Sequence, residues 1–212
     1  MEYKIIDMSQ YKRIDHFNYF RTLPNPFVGV TVNADVTELV KYCKENGHSF
    51  FLSFLRAAAL AANSVPEFRQ RIRGDSIVEY KFCGTSHIEL LPDDTYSYCT
   101  LYHDMPYIDY LCSAEKKRTL AREKRDISED EDVEGLYFIT SLPWLNYISF
   151  TQPTGSPDES NPRISWGKYC STPEGKYIMP VTVLANHAIV DGIHISRFFQ
   201  NLDTEMQNIV CR

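Results

Sequence analysis

Two side chains capable of acid–base chemistry stand four residues apart in "VTVLANHAIVDGIHISRFF", Val181 to Phe199: His187 and Asp191. An apolar run ends in Asn186-His187, continues Ala188-Ile189-Val190, and meets Asp191-Gly192 before a second apolar-periodic segment. Three chemistries fit this spacing. In the first, Asp191 caps a helix and His187 is a hydrogen-bonded core residue. In the second, His187, Asp191 and His194 hold a metal ion. No third carboxylate or thiolate lies at ligand spacing, so no metal site is expected. In the third, His187 is a general base at a strand end and Asp191 holds the local structure. A neutral imidazole near pH 7 can take a proton from an attacking hydroxyl or thiol.

Presenting His187 requires a strand before it and a helix after it. "KYIMPVTVLAN" and "RISWGKYC" both read as strands. From Asp191 onward Ile195, Phe198, Phe199, Leu202, Met206 and Ile209 share one helical face. Upstream, Val28 to Ala34 alternates like a strand. "DVTELVKYCKENG" reads as a helix capped by Asp35 and stopped by Gly47, with Val36, Leu39, Val40 and Cys43 on its buried face. The run from Ser49 is a longer helix, apolar on nearly every side and hence buried, with Pro66 marking its end. "SIVEYKF", "SHIELL" and "YSYCTLYH" are short strands. A charged, half-exposed helix starts at Pro106, and "SEDED", residues 128–132, is an acidic surface loop. "GLYFITSLPWLNYISFT" predicts two strands around a Leu-Pro-Trp turn, and "TGSPDESNP" a polar loop. Without strict βαβ alternation, the expected fold is α/β: a two-layer mixed β-sheet covered by helices.

A chain of 212 residues suits one domain, 1–212. Its 13% aromatic content provides apolar surface for an interface or a pocket. The formal charge of -6 speaks against a nucleic-acid partner. No apolar run approaches the roughly 18 residues of a membrane span. The charged opening "MEYKIIDMSQYKRID" has no signal-peptide core, so a cytoplasmic protein with no membrane association is expected. The Cys residues form no CxxC pair, which leaves neither a zinc nor a redox motif and predicts free thiols.

The segment "NHAIVDG" resembles the His-His-x-x-x-Asp-Gly signature of the chloramphenicol acetyltransferase family, with Asn186 in place of the first histidine and His187 as the second. Further blocks resemble the same family in the same order: "YKRIDHFNYF", "SVPEFRQRIRGDSIVEYK", "FITSLPWLNYISF", "ISWGKY" and "GIHISRFFQNL". The likeness runs over residues 3 to 206. It implies a CoA-dependent acyltransferase fold and a homotrimer whose active sites lie between subunits. The implied reaction moves an acetyl group from acetyl-CoA to a hydroxyl of chloramphenicol. Acetyl-CoA is then a co-substrate, with no permanently bound cofactor.

By the same resemblance, His187 is the general base and Arg13 the partner of Asp191. Thr140 takes the place of the family's oxyanion-stabilising serine, keeping the hydroxyl and adding a methyl group. Lys168 and Tyr169 fall on the CoA side, and Ser165 lines the site. Phe20, Phe27, Tyr96 and Phe150 wall the acceptor pocket, where Gln152 replaces an apolar residue. These departures leave room for a different hydroxylated acceptor, and Asn186 for a trimeric homologue that binds without turnover. A related fold, the catalytic core of dihydrolipoamide acyltransferases, is set aside, since neither a lipoyl domain nor an Ala/Pro-rich linker is present in the chain.

Overall fold

The computed structural model describes residues 2–125, 127–128 and 132–211. Its elements in chain order are β1 (Tyr3–Ile5), α1 (Ile14–Phe20), β2 (Phe27–Asp35), α2 (Thr37–Asn46), α3 (Phe50–Asn63), β3 (Gln70–Arg73), β4 (Ser76–Tyr80), β5 (Gly84–Leu90), β6 (Tyr96–Leu101), α4 (Tyr107–Lys124), β7 (Leu136–Leu142), β8 (Arg163–Gly167), β9 (Cys170–Ser171), β10 (Tyr177–Asn186) and α5 (Gly192–Val210). One mixed sheet runs β2-β10-β8-β7-β5-β6, with β9 paired to β10. The β5–β7 and β7–β8 pairs are parallel and the rest antiparallel. A smaller antiparallel sheet runs β1-β4-β3.

The helices form their layer for reasons visible in their side chains. In α3, Ala57, Ala58, Ala59, Ala61 and Ala62 are all fully buried, and their small size lets the helix lie close against α2 and α5. Ser49 caps α3 by accepting the Leu52 amide at 3.4 Å. Gly47 ends α2 in the left-handed conformation, at φ 66°. Asp35 stands one position before the observed cap: Val36 is the N-cap residue, while Asp35 Oδ1 accepts the Thr37 amide at 3.1 Å. Toward the sheet, Phe54 of α3 meets Trp166 of β8 edge-on, with ring centroids 4.9 Å apart. Trp166 lies opposite Val181 of β10, so this is the helix-covered face.

The other face carries hydroxyls. Thr31 lies opposite Thr182, Thr182 opposite Ser165, and Ser165 opposite Thr140. Cross-strand partners share a face, and neighbours along a strand alternate. Thr31, Thr182, Ser165 and Thr140 therefore form a row across four strands, on the side away from α3.

Three expectations need correction. The segment after Pro143-Trp144 is not a return strand. Both edges of β7 are already taken, by β5 and β8, so the chain leaving it has no free ladder to pair with. The Leu145 amide instead closes a turn on Leu142 O at 3.1 Å, and residues 145–162 run as a loop. Second, "RISWGKYC" is two short strands, because the Lys168 amide leaves the ladder for Leu145 O at 2.7 Å. Third, the N-cap residue of α2 is Val36 rather than Asp35, which serves the helix start from one position farther out. Of the acidic loop, Ser128 and Asp132 are described, and residues 129–131 lie outside the described residues.

Candidate active site

His187 follows the last residue of β10. Its amide donates to Pro26 O at 2.7 Å, which carries the β2–β10 pairing one step past the strand. The chain then turns sharply: the Ile189 and Val190 amides donate back to Asn186 O at 3.2 and 2.9 Å. That turn brings Val190 O to 3.0 Å from His187 Nδ1. A carbonyl can only accept, so Nδ1 carries the imidazole hydrogen and Nε2 keeps its lone pair. Phe20 of α1 stacks on the ring at 3.9 Å between centroids and 15° between planes, fixing its orientation. A histidine held in this tautomer is a base at Nε2 and nowhere else.

The structure pairs Arg13 with Asp191 across 178 residues of sequence, Nη1 to Oδ2 at 3.1 Å. A second Arg13 nitrogen lies 3.5 Å from His187 O, so the same guanidinium touches both residues. Asp191 Oδ1 accepts the Gly192 amide at 2.7 Å, capping α5. This amide bond and the Arg13 charge outweigh partial burial and hold the carboxyl below the usual aspartate range. The cap and the ion pair are thus both real, one on each carboxylate oxygen. His194 Nδ1 accepts the Asp191 amide at 2.9 Å, and its Nε2 faces Glu67 at 3.5 Å. His187 and His194 each spend a ring nitrogen on the backbone, and no metal-ligating cluster of three exists among the described residues.

Asn186, where the family has its first histidine, is 1% exposed and fully engaged. Its Nδ2 donates to Pro157 O at 2.8 Å and Glu159 O at 3.0 Å, and its Oδ1 accepts the Ala188 amide at 3.0 Å. It ties the 154–162 loop to the turn that presents His187.

A second cluster surrounds Thr140. Thr140, Tyr96, Phe150 and Gln152 line one cavity of about 560 Å³, together with Tyr98 and Phe138. Gln152 Nε2 donates to Thr140 Oγ1 at 2.6 Å. Phe27 lies in the adjoining groove, across Phe150 and Gln152. Ser165 is buried in the hydroxyl row beneath Tyr147, whose hydroxyl is 3.2 Å from Thr182 Oγ1 and is pushed up in pKa by burial. Lys168 is exposed at the other end of β8. Tyr169 is half-buried, edge-on to Phe50 at 5.2 Å and to Tyr177 at 5.3 Å.

Within one chain the two clusters do not meet. Thr140 is level with Thr182 across β8, and His187 lies five residues farther along β10. At about 3.3 Å per residue and about 4.8 Å per strand, their Cα atoms are some 19 Å apart. Side chains bridge only a fraction of that gap.

Sequence reasoning named most of these residues but missed the Val190 carbonyl, the role of Asn186, the Gln152–Thr140 bond and the Thr31–Thr182 pair. The available signal was Thr182 itself, a lone threonine among the mostly apolar residues of its strand.

A family model described as chloramphenicol acetyltransferase matches residues 1–203. Curated relatives include a chloramphenicol acetyltransferase of Escherichia coli, 26% identical over 204 residues, which span 94% of this chain and 92% of that protein. One from Bacillus pumilus is 27% identical, over 94% of this chain and 91% of its own length. Among solved structures, a chloramphenicol acetyltransferase superimposes with a TM-score of 0.82 at 27% identity, covering 97% of this chain and 100% of the other. A dihydrolipoamide acetyltransferase of Azotobacter vinelandii shares the fold, with a TM-score of 0.70 at 18% identity over 92% and 86% of the two chains.

Proposed function

The chain belongs to the chloramphenicol acetyltransferase family, and we propose that it moves the acetyl group of acetyl-CoA directly to a hydroxyl of chloramphenicol, with His187 as general base. It is an acyltransferase enzyme. The observation that carries the mechanism is the His187 tautomer, set by Val190 O, which leaves Nε2 free to accept a proton.

The acceptor hydroxyl gives its proton to Nε2 as its oxygen bonds to the thioester carbonyl carbon. An aliphatic alcohol is a poor nucleophile at neutral pH, and proton removal during attack lowers the barrier. The tetrahedral intermediate bears an oxyanion, for which the Thr140 hydroxyl is the donor. When it collapses, the C–S bond breaks and the imidazolium returns its proton to the leaving thiolate. The products are the acetyl ester and CoA, and His187 is neutral again. Asp191 and Arg13 hold the turn that aims the ring. Lys168 and Tyr169 receive the nucleotide end of CoA, and Ser165 lines the channel.

The separation of some 19 Å between His187 and Thr140 supports an active site shared by two subunits. Trp144, Leu145 and Ile148 at the end of β7 are 65%, 56% and 96% exposed, an apolar patch suited to a neighbour. A base end that meets the Thr140 end of the next copy is a head-to-tail contact, which closes into a ring, here a homotrimer. No helix among the described residues is long and apolar enough to cross a membrane, and we place the reaction in the cytoplasm, where acetyl-CoA is available.

One observation favours a variant of this reading, transfer to another hydroxylated small molecule: Gln152 puts a polar amide beside the reacting position. The turnover-free homologue loses its support, since Asn186 is structurally engaged and leaves His187 in place. The test is CoA release from acetyl-CoA with chloramphenicol, in wild type and His187→Ala. The variant should fold normally and lose about 10²–10⁴-fold in rate. Equal rates would end the general-base mechanism.

A further inference from the structure

We propose that Gln152 is a positioning residue of the reaction: its amide hydrogen pins Thr140 Oγ1 so that the threonine's own hydrogen is left for the oxyanion. This rests on the acetyl-transfer reading, with Thr140 as the oxyanion donor.

A threonine hydroxyl has one hydrogen and two acceptor positions, and it rotates to suit its neighbours. An oxyanion donor is useful only if that hydrogen points at the developing charge before the reaction starts. Beside an acceptor group, the hydroxyl would turn its hydrogen away from the reacting carbon. Gln152 Nε2 can only donate, and it lies 2.6 Å from Thr140 Oγ1. The bond therefore consumes a lone pair of Thr140 and spares its hydrogen. Donation into the oxygen also polarises the O–H outward, strengthening the next bond by about 10–30%. Both side chains line the same cavity.

A purely structural role fits the amide less well. Gln152 Oε1 is buried and takes no hydrogen bond among the described residues. Leaving such a carbonyl unpaired carries a desolvation cost that an apolar side chain of similar shape would avoid. The amide has one end unsatisfied and the other on Thr140.

A double-mutant cycle on kcat, with acetyl-CoA and chloramphenicol, tests the assignment. Thr140→Ala should lose about 10²–10³-fold, the usual cost of one oxyanion donor. Gln152→Leu should lose about tenfold in the wild-type background, with KM for acetyl-CoA unchanged, and less than about twofold in the Thr140→Ala background. Gln152→Glu is nearly isosteric, its fold is checked by circular dichroism before assay, and its carboxylate accepts instead of donating. It should draw the Thr140 hydrogen to itself and cost more than Gln152→Leu. Its deficit relative to wild type should shrink as pH falls and the acid regains a hydrogen to give. Equal losses from Gln152→Leu in both backgrounds, or a fully active Gln152→Glu enzyme, would overturn the role of Gln152 while leaving the transfer mechanism intact. An unimpaired Thr140→Ala enzyme would instead remove Thr140 as the oxyanion donor, and the role of Gln152 with it.

Discussion

At the scale of single residues, the two carboxylate oxygens of Asp191 do different work, and a substitution can separate them. Oδ1 caps α5 through Gly192, and Oδ2 pairs with Arg13, which also reaches His187 O. Asparagine caps helices about as well as aspartate but carries no charge. Asp191→Asn should therefore keep its melting temperature within a few degrees while losing about tenfold in acetyl transfer, roughly 1.4 kcal/mol of barrier. Full activity would reduce Asp191 to a cap. The sequence made His187, Asp191 and Thr140 legible through a motif and its order, because catalytic residue types are few and their spacing is constrained. It could not show the tautomer of His187, because the hydrogen's partner is the main chain of Val190. Nor could it show that Asn186 is a loop tie, because its acceptors are the carbonyls of Pro157 and Glu159. Side-chain identity says nothing of where backbone oxygens converge.

At the scale of elements, strands with alternating residues and helices with clear stops were legible, whereas elements fixed by distant partners were not. The failed return strand after Trp144 has strand composition, but whether a ladder edge is free beside β7 is a property of the whole sheet. Strand β3, "QRIR", carries two arginines. In the structure Arg71 is fully buried, its guanidinium donating to the carbonyls of Phe68, Gln70, Glu134 and Leu136. The packing of α4 against β5 and β6 hides a second polar layer. There Glu89 accepts from His87, Arg118 and Arg122, and His103 Nε2 lies 2.8 Å from Thr85 Oγ1. Burial, reinforced by Arg56, pushes His103 down to about 3, and burial also lowers His87. The unfolded chain binds a proton at His103 once pH falls below about 6.5, whereas the folded protein waits until about 3. Stability is thus full above pH 6.5 and declines as pH falls toward 3, by up to about 1.4 kcal/mol per pH unit for each such histidine. Burial opposes ionisation of Glu89, but His87 and Arg118 prevail and hold it at about 2, so its contribution is lost only below the ordinary carboxylate range. Denaturant unfolding between pH 7 and 4.5 should show the histidine slope, and His103→Gln should reduce it by about one proton. An unchanged slope in that variant would mean that His103 takes up its proton without unfolding.

At the scale of the whole molecule, His187 and Thr140, which we propose serve one reaction as base and oxyanion donor, lie at separate places in each chain. The β10 register fixes that distance, and no rotamer closes it. Trp144, Leu145 and Ile148 are exposed and supply an apolar patch for the proposed contact with a second copy. The sequence resemblance implied a trimer, and the strand register supplies the physical argument for the shared site we propose. Subunit mixing tests this most directly. His187→Ala and Thr140→Ala chains, each nearly inactive alone, would be unfolded together in equal amounts and refolded as mixed trimers. In a head-to-tail ring, about one interface in four then joins an intact His187 to an intact Thr140, so about a quarter of wild-type acetyl transfer should return. A mixture no more active than its two components would contradict the shared site, and would require His187 and Thr140 to act without each other.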